Sequence, residues 1–531
     1  MSHRRQRPSG VEIALLVLLA AWALFPLIIF LVRAAALHGV YTGADGLIGA
    51  DGVLGADQLQ YLAWARDAAH HGLASDLFTL EPNGHVYLQP VFLLVGLLSR
   101  IGLSLPLAYQ LIKPLAIIAL FAAAVAWAAR FCDGVGRRAA AVALALFLAL
   151  PLAALYSWSA AGSGSFRFSL FLLGDELLAA SKLWGYLPSA LGLALVPFAL
   201  LAVERAIDPR GVGSAQRRAR ASSDDPRAWI VAGLASLGAS WLHPWQGATL
   251  IFIYLGLAAW RRFDGLGVLI VAAVGAALPL AYYYALGHSD PAWSLASHYE
   301  VIARLPALVL LAGLGPVLAL AAVGLTRPGD SPGEQILLLW PLAAAVTYFA
   351  NDAFPEHALQ GLSFPLAVLM VRGGMRVRLP AVAGAALVLL LTVPGLAYDA
   401  RKMARTASGS HVQYVLTADD ARALAFLDAR RPPGGILAPT PFASVVPART
   451  GLPVYVGHGY WSRDYVARAR RVDRLFDGRL RPRAARALVR ATRAAVLVSD
   501  CAHPRPLDRA LHSMIVFTQR FGCARVYMLR R

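Results

Sequence analysis

Long apolar segments recur along the first 400 residues and decide what this chain can fold into. An apolar stretch of roughly 17–25 residues matches the hydrocarbon core of a bilayer as a helix. A shorter stretch at 89–103 predicts a helix at the membrane interface. About eleven segments read as crossings: 11–33, 106–130, 139–158, 185–203, 229–242, 245–260, 266–286, 305–326, 335–350, 356–372 and 379–398. The pattern predicts an α-helical polytopic membrane protein.

The composition is that of a membrane protein, and it differs between two regions of the chain. Of 531 residues, 58% are hydrophobic and 15% are charged, which is too apolar for a water-soluble protein of this size. Charges are sparse up to about residue 400 and dense beyond it. We expect a membrane domain over 1–400, with a long external loop at 34–88 carrying juxtamembrane helices, and a soluble α/β domain over 401–531.

The distribution of arginine predicts the orientation. The net charge is +19, but many arginines lie in short loops between apolar segments, where basic residues mark the cytoplasmic side. This places the N-terminus in the cytoplasm and the C-terminal domain outside, and it argues against a nucleic-acid partner. Basic residues that are mostly arginine, with abundant Ala and Gly, are typical of a bacterial chain, so we expect the cytoplasmic (plasma) membrane.

The pair of segments at 229–260 is the weak point of this topology. Only Leu242, His243, Pro244 and Trp245 join them, and each half is barely long enough to cross. One kinked helix is the alternative, and it would place the following basic loops outside. The charge rule therefore favours a hairpin of two helices.

The C-terminal region alternates helical and strand patterns. Helices are predicted over 417–431, with Thr417 as the cap, and 481–491, and strands over 434–439, 452–457, 494–499 and 524–529. No Gly-rich nucleotide motif is present, so no nucleotide cofactor is expected. Cys501 and Cys523 form a disulfide if the domain faces an oxidising compartment, or remain two free thiols.

The long external loop is the first candidate for a functional segment, because loops of this length tend to carry function. Within it, GADQLQYLAWARDAAHHG begins with Asp57 and spaces Tyr61 and Trp64 as an amphipathic interfacial helix does. Asp57 either caps that helix or has a chemical role.

The layout resembles the GT-C superfamily of membrane glycosyltransferases, similar to the dolichyl-phosphate-mannose mannosyltransferase and aminoarabinose transferase group. The likeness rests on the N-terminal helix, the acidic first external loop with ADQLQYLAWA, the helical bundle and the external α/β domain. It implies an inverting transfer of a sugar from a polyprenyl phosphate to a glycan, lipid or protein acceptor of the cell envelope. It implies Asp57 as the catalytic base, with Asp51 as the substitute.

Such a reaction releases a lipid phosphate, which needs cationic or hydrogen-bonding partners. We expect these among Arg167, Lys182, Arg304, Lys113 and His243. Other roles are open: Lys182 snorkelling to the interface, the Arg167 stem covering apolar surface, and Arg304 pairing with Glu300.

Further polar and aromatic residues are candidate substrate ligands. Asp175 and Glu176 either bind sugar hydroxyls, or hold a divalent cation such as Mg or Mn together with Asp57, or form solvated surface. The other candidates are Tyr61, His357, Tyr460 and Trp461. His243 and His357 either meet in one cavity or bind helix-end carbonyls. Tyr460 and Trp461 either contact an acceptor or dock the domain.

Two other classes of function remain open. A transporter or lipid flippase would show internal repeats and several intramembrane charges, whereas Lys113 is nearly alone. A non-catalytic envelope assembly protein on the same scaffold would leave Asp57 without a chemical role.

Overall fold

The computed structural model describes residues 9–46, 53–159, 164–208, 226–299, 301, 303–325, 331–409 and 411–530. The helices in these ranges are α1 Gly10–Ala36, α2 Val53–His71, α3 Pro90–Arg100, α4 Leu105–Gln110, α5 Ile112–Phe131, α6 Val135–Phe147, α7 Pro151–Ser159, α8 Gly164–Leu177, α9 Leu187–Ile207, α10 Pro226–Leu242, α11 Pro244–Trp260, α12 Leu266–Ser289, α13 Pro291–Tyr299, α14 Ala307–Val323, α15 Pro332–Ala350, α16 Ser363–Arg376, α17 Ala381–Ser408, α18 Ala418–Arg430, α19 Val445–Thr450, α20 Tyr465–Phe476, α21 Pro482–Thr492 and α22 Asp508–Leu511. The strands are β1 Val40–Tyr41, β2 Val415–Leu416, β3 Gly435–Leu437, β4 Ala494–Ser499, β5 Ile515–Phe521 and β6 Ala524–Leu529.

The chain is a multi-pass membrane protein. Each predicted crossing overlaps a helix, but in the described ranges only six helices are long and apolar enough to cross by length and composition. They are Gly10–Ala36, Leu105–Phe131, Leu187–Ile207, Leu266–Ser289, Pro332–Ala350 and Ala381–Ser408. A seventh arises if α6 and α7, which are bent by 50°, form one span. The expected count of about eleven is not confirmed.

Proline and glycine explain two of the differences between the predicted crossings and the observed helices. The predicted segment 139–158 breaks before Pro151, because the ring disfavours helical backbone in the preceding residue and suits the first helical position. The predicted segment 356–372 becomes a 3-10 helix, Pro355–Leu359, followed by α16. Gly361 lies between them at φ +89°, a conformation that interrupts a helix.

Residues 226–260 form a hairpin. The hydroxyl groups of Ser236 in α10 and Tyr254 in α11 lie 2.7 Å apart. In one continuous helix, 18 residues would separate them by about 27 Å along the axis. Gly247 in α11 also packs against Ser240 of α10 so closely that a Cβ would collide with it. The structure therefore agrees with the hairpin that the charge rule favours.

The chain divides into two compact units. Unit 1 comprises Met1–Leu24, Lys113–Tyr284 and Val301–Arg401. Two of its ion pairs join a partly buried arginine to a buried glutamate: Arg138 with Glu12 at 2.5 Å, and Arg130 with Glu204 at 2.5 Å. Glutamates in neighbouring helices therefore offset part of the positive charge of these arginines.

Unit 2 comprises Phe25–Ile112, Ala285–Glu300 and Lys402–Arg531. Its sheet has the order β3-β4-β6-β5, with β3 and β4 parallel and the other pairs antiparallel. Cys501 and Cys523 form a disulfide. The predicted strand 452–457 forms only an isolated bridge between Val454 and Ile436, and strand β5 was missed because its half-exposed edge sequence lacks a clean alternation.

Helix α2 differs from the predicted interfacial helix. It is buried on most sides, packing against α3 and α19 within unit 2. It begins at Val53, so Asp57 lies one turn inside the helix and is not its cap. The polar residues Gln58 and Gln60 are buried, and Gln58 accepts hydrogen bonds from the backbone of Asp45 and Gly46.

Candidate active site

Asp57 meets His458, a residue 401 positions later in the chain. The Oδ1 atom of Asp57 lies 3.0 Å from Nε2 of His458. The imidazole side chain is 1% exposed, whereas the Asp57 side chain is 20% exposed. One residue of the pair is therefore held in the interior of unit 2, and the other reaches its surface.

The turn around His458 fixes which ring nitrogen carries the proton. The backbone N–H of Tyr460 donates to Nδ1 of His458 at 3.2 Å, so this nitrogen is an acceptor. In the neutral imidazole the proton is then on Nε2, which donates to Asp57. Ser462 anchors the turn, because its Oγ donates to the carbonyl of Phe78 and accepts from the backbone N–H of Gly457.

The aromatic candidates of unit 2 lie in a packed cluster. The Trp461 ring is buried and meets Trp64 edge-on at 5.2 Å and Trp293 at 4.6 Å. Tyr61 stacks on Phe92 at 5.0 Å. These edge-on contacts of Trp461 stabilise the core of unit 2. Tyr460 lies beside the cluster, half-buried next to His458.

In unit 1, Lys182 lies between two carboxylates. Its Nζ is 3.1 Å from Oδ2 of Asp175 and 3.4 Å from Oε2 of Glu176. The lysine is buried, in a 3-10 helix, so the alternative of a lysine snorkelling to the interface is wrong. Asp175 and Glu176 belong to the last turn of α8, and Gln360 donates to Glu176 at 2.5 Å. This group of four is the polar cluster of unit 1.

The electrostatics of this cluster favour a charged lysine. Burial alone would lower the pKa of Lys182, but Asp175 and Glu176 outweigh it and raise that pKa. Burial raises the pKa of the neighbouring Glu356 to about 7. Burial, assisted by Lys182, lowers the pKa of His357 to about 3. The imidazole of His357 is therefore neutral at physiological pH.

His243 and His357 come together, as one of the two sequence interpretations has it. Their rings stack at 5.5 Å, and Trp245 stacks on His357 at 4.7 Å. Both Nδ1 atoms are buried, with no hydrogen-bond partner among the described residues. The two rings thus offer unpaired polar atoms in the interior of unit 1.

The remaining cation candidates are dispersed within unit 1. Arg304 pairs with Asp352 at 2.7 Å and donates to the carbonyl of Phe349 at the end of α15, while its suggested partner Glu300 lies outside the described residues. Lys113 is fully buried and donates to the carbonyl of Ala23.

Arg167 lies in the first turn of α8, two turns before Asp175. Its Nε is buried and has no hydrogen-bond partner among the described residues. Of the predicted cations, Arg167 therefore keeps hydrogen-bonding capacity for an anion.

The predicted metal ligands do not fit a divalent cation well. The Asp175 and Glu176 carboxylates already share the ammonium of Lys182, which occupies the position that a cation would need. Asp51 lies outside the described residues.

Sequence reasoning did not pair His458 with Asp57, and it missed the histidines near the end of α2. His458 lies in the segment GHGYWSRD, where nothing in the spacing points to a partner about 400 residues earlier. The doublet His70–His71 after an aspartate at the i,i+4 position was a readable signal.

No family model and no curated protein sequence matches the chain. The oligosaccharyltransferase AglB from Archaeoglobus fulgidus, in complex with an inhibitory peptide and a dolichol-phosphate, is similar with a TM-score of 0.46 at 12% identity, over 92% of this chain and 70% of AglB. ArnT from Cupriavidus metallidurans bound to undecaprenyl phosphate has a TM-score of 0.47 at 13% identity, over 97% of this chain and 98% of ArnT. Both are lipid-linked sugar transferases of the GT-C superfamily, the group that the sequence resembles. TM-scores below 0.5 at such identities are too low to assign an activity to this chain.

Proposed function

We propose that this protein is an inverting membrane glycosyltransferase that moves a sugar from a polyprenyl-phosphate donor to a cell-envelope acceptor on the external face of the membrane. The observation that carries the proposal is the contact between Asp57 and His458. This contact supports a role for Asp57 in catalysis, because its carboxylate is oriented by a buried group and remains accessible to a substrate.

Asp57 is the base in this reaction, and His458 is a positioning residue. Nε2–H of His458 donates to Oδ1 of Asp57 and fixes the orientation of the carboxylate. His458 does not take the proton itself, because its Nδ1 already accepts from Tyr460. Asp57 therefore accepts the proton of the acceptor hydroxyl.

The step is a direct displacement at the anomeric carbon. The acceptor oxygen loses its proton to Asp57 and forms a bond to that carbon, while the bond from the carbon to the phosphate oxygen breaks. The lipid phosphate leaves with the electron pair, and configuration inverts because attack and departure take opposite faces. No metal is required for this balance, and none is assigned.

Within unit 1, we propose that the phosphate is bound by Arg167 and by the polar cluster around Lys182. Arg167 supports this role because its buried Nε is unpaired among the described residues. His243 and His357 add unpaired Nδ1 atoms as further polar ligands. Arg304 and Lys113 are weaker candidates, since each already donates to a helix carbonyl.

The topology belongs to the same proposal. A membrane domain over 1–400 with a cytoplasmic N-terminus and an extracytoplasmic domain over 401–531 places the disulfide between Cys501 and Cys523 in an oxidising compartment. The pairing of these cysteines supports that orientation. Labelling of an introduced cysteine at exposed Arg520 by an impermeant maleimide in intact cells is expected, and protection until lysis would contradict the orientation.

The experiment that tests the activity is transfer from a panel of radiolabelled polyprenyl-phosphate sugars in membranes that contain the protein. We expect at least one donor to be consumed, and Asp57→Ala to abolish transfer at matched protein levels. As the control, Asp428→Asn removes a half-exposed carboxylate of the same unit and should transfer normally. Consumption of no donor by the wild type would contradict the proposed enzyme.

A further inference from the structure

Three side chains with metal-binding chemistry converge at the C-terminal end of α2. Nδ1 of His71 lies 2.8 Å from Oδ1 of Asp67, and Nδ1 of His85 lies 3.0 Å from Oδ2 of the same carboxylate. The ligand atoms of all three lie within 4.8 Å of one another. Asp67, His71 and His85 are called the α2 histidine cluster below.

The cluster is distinct from the Asp57 site. Asp57 and Asp67 are ten residues apart on one helix, which is about 15 Å along its axis. His85 comes from the segment that follows α2, so the cluster joins the end of the helix to a loop 14 residues later. An ion here would act as a cross-link in unit 2 whether or not Asp57 is a base.

The carboxylate is held ready by its own hydrogen bonds. Oδ2 of Asp67 accepts from the backbone N–H of Ser75 at 2.6 Å and from its hydroxyl at 2.7 Å. Asp67 is 5% exposed, so it is fixed in one orientation. Groups that orient a ligand from behind in this way are typical of protein metal sites.

The two imidazoles face the solvent side of that carboxylate. Their rings stack with centroids 3.7 Å apart, and the side chains are 49% and 39% exposed. Neutral imidazole is the form that binds transition metals, and the exposure allows an ion to enter.

The distances suit a tetrahedral ion after a small movement. Ligands about 2.0–2.2 Å from Zn²⁺ lie about 3.3–3.5 Å apart in a tetrahedral site. The present nitrogen–oxygen separations of 2.8 and 3.0 Å are shorter by about half an ångström, which side-chain rotation of the half-exposed rings can supply. Water would complete the fourth position.

We propose that the α2 histidine cluster binds a divalent transition-metal ion of the zinc class, with Nδ1 of both histidines and an oxygen of Asp67 as ligands. Zn²⁺ binding at Nδ1 moves the single proton of each neutral ring to Nε2 and ties the loop after α2 to the helix. A carboxylate with two imidazoles selects such an ion over Mg²⁺ or Ca²⁺, which prefer oxygen ligands throughout.

The test is Zn²⁺ titration of the purified full-length protein in detergent, after removal of the affinity tag and treatment with a chelator. The wild type should bind one equivalent, and His71→Ala and His85→Ala should each weaken binding at least about tenfold. His70→Ala is the matched control, because His70 lies in the last turn of the same helix but contacts Arg431 outside the cluster. It should bind as the wild type does.

Equal Zn²⁺ affinity in the wild type, His71→Ala and His85→Ala would overturn the proposal, as would a wild type without a one-to-one site. X-ray absorption of the wild type loaded with one equivalent of Zn²⁺ needs no variant, so this test remains valid even where a variant misfolds. Two imidazole ligands and one carboxylate are expected, and a spectrum with fewer than two imidazoles would refute the assignment. Loss of sugar transfer is not a readout here, so failure of the metal site and failure of the enzyme proposal remain distinguishable.

Discussion

Replacing Asp76 with Asn should stabilise unit 2 by an amount that grows with pH. Asp76 is 2% exposed, and its Oδ1 accepts from the backbone N–H of Phe78 at 2.8 Å. Its Oδ2 is buried without a hydrogen-bond partner among the described residues. Burial, reinforced by the nearby Asp290 and Glu81, raises the pKa of Asp76 from 3.8 to about 8.

The sign and size of the effect follow from linkage. The pKa of Asp76 is higher in the folded protein than in the unfolded chain, so unfolding releases a proton between those two values. The contribution of Asp76 to the free energy of unfolding is fully present below pH 4 and falls by about 1.4 kcal/mol per pH unit up to pH 8. At pH 7 the accumulated cost is about 4 kcal/mol. Asn keeps the acceptor for Phe78 and has no such proton to lose.

The assay is the apparent Tm of the wild type and Asp76→Asn between pH 4.5 and 8. The two should nearly agree at the acidic end, and the variant should exceed the wild type by about 8 °C at pH 7, at roughly 2 °C per kcal/mol. Asp428→Asn, which removes a half-exposed partner of Arg66, should give no such divergence. A difference in apparent Tm between wild type and Asp76→Asn that stays constant with pH would refute the reasoning.

Three further predictions follow from other contacts. Lys182→Met leaves the buried Glu176 and the partly buried Asp175 without their cation and should cost about 3–5 kcal/mol, measured as a fall in apparent Tm that Lys182→Arg partly reverses. Cys501→Ala opens a loop with a sequence separation of 22 and should cost about 3 kcal/mol, seen in the denaturation midpoint of the oxidised protein. His458→Ala should lower kcat with little change in KM, because Asp57 loses the hydrogen-bond donor that orients it; an unchanged kcat would contradict the positioning role.

The helical part of the fold was readable from local patterns. Apolar runs marked the helices, and the positions of Pro151 and Gly361 were visible, but their power to split a span depends on packing that periodicity does not report. Thr417 was correctly predicted as a helix cap, since a cap involves only neighbours three residues apart.

The site was less predictable because its contacts are long-range. Asp57 stood out by its position in the external loop, whereas its partner His458 is 401 positions away. Lys182 was predicted either to bind the donor phosphate or to snorkel to the interface, and only the fold shows it buried between Asp175 and Glu176. A sequence gives the charge of such residues, but not which side chains the tertiary structure brings within 4 Å.

The most direct test of the central claim is the single-turnover rate of sugar transfer by purified wild type and Asp57→Asn, with a saturating labelled donor. Asn keeps an oxygen to accept from His458 but cannot take a proton, so the fold and donor binding should persist. We predict a rate at least about 100-fold lower for Asp57→Asn, the usual contribution of a general base. Equal rates in the two proteins would contradict the assignment of Asp57 as the base.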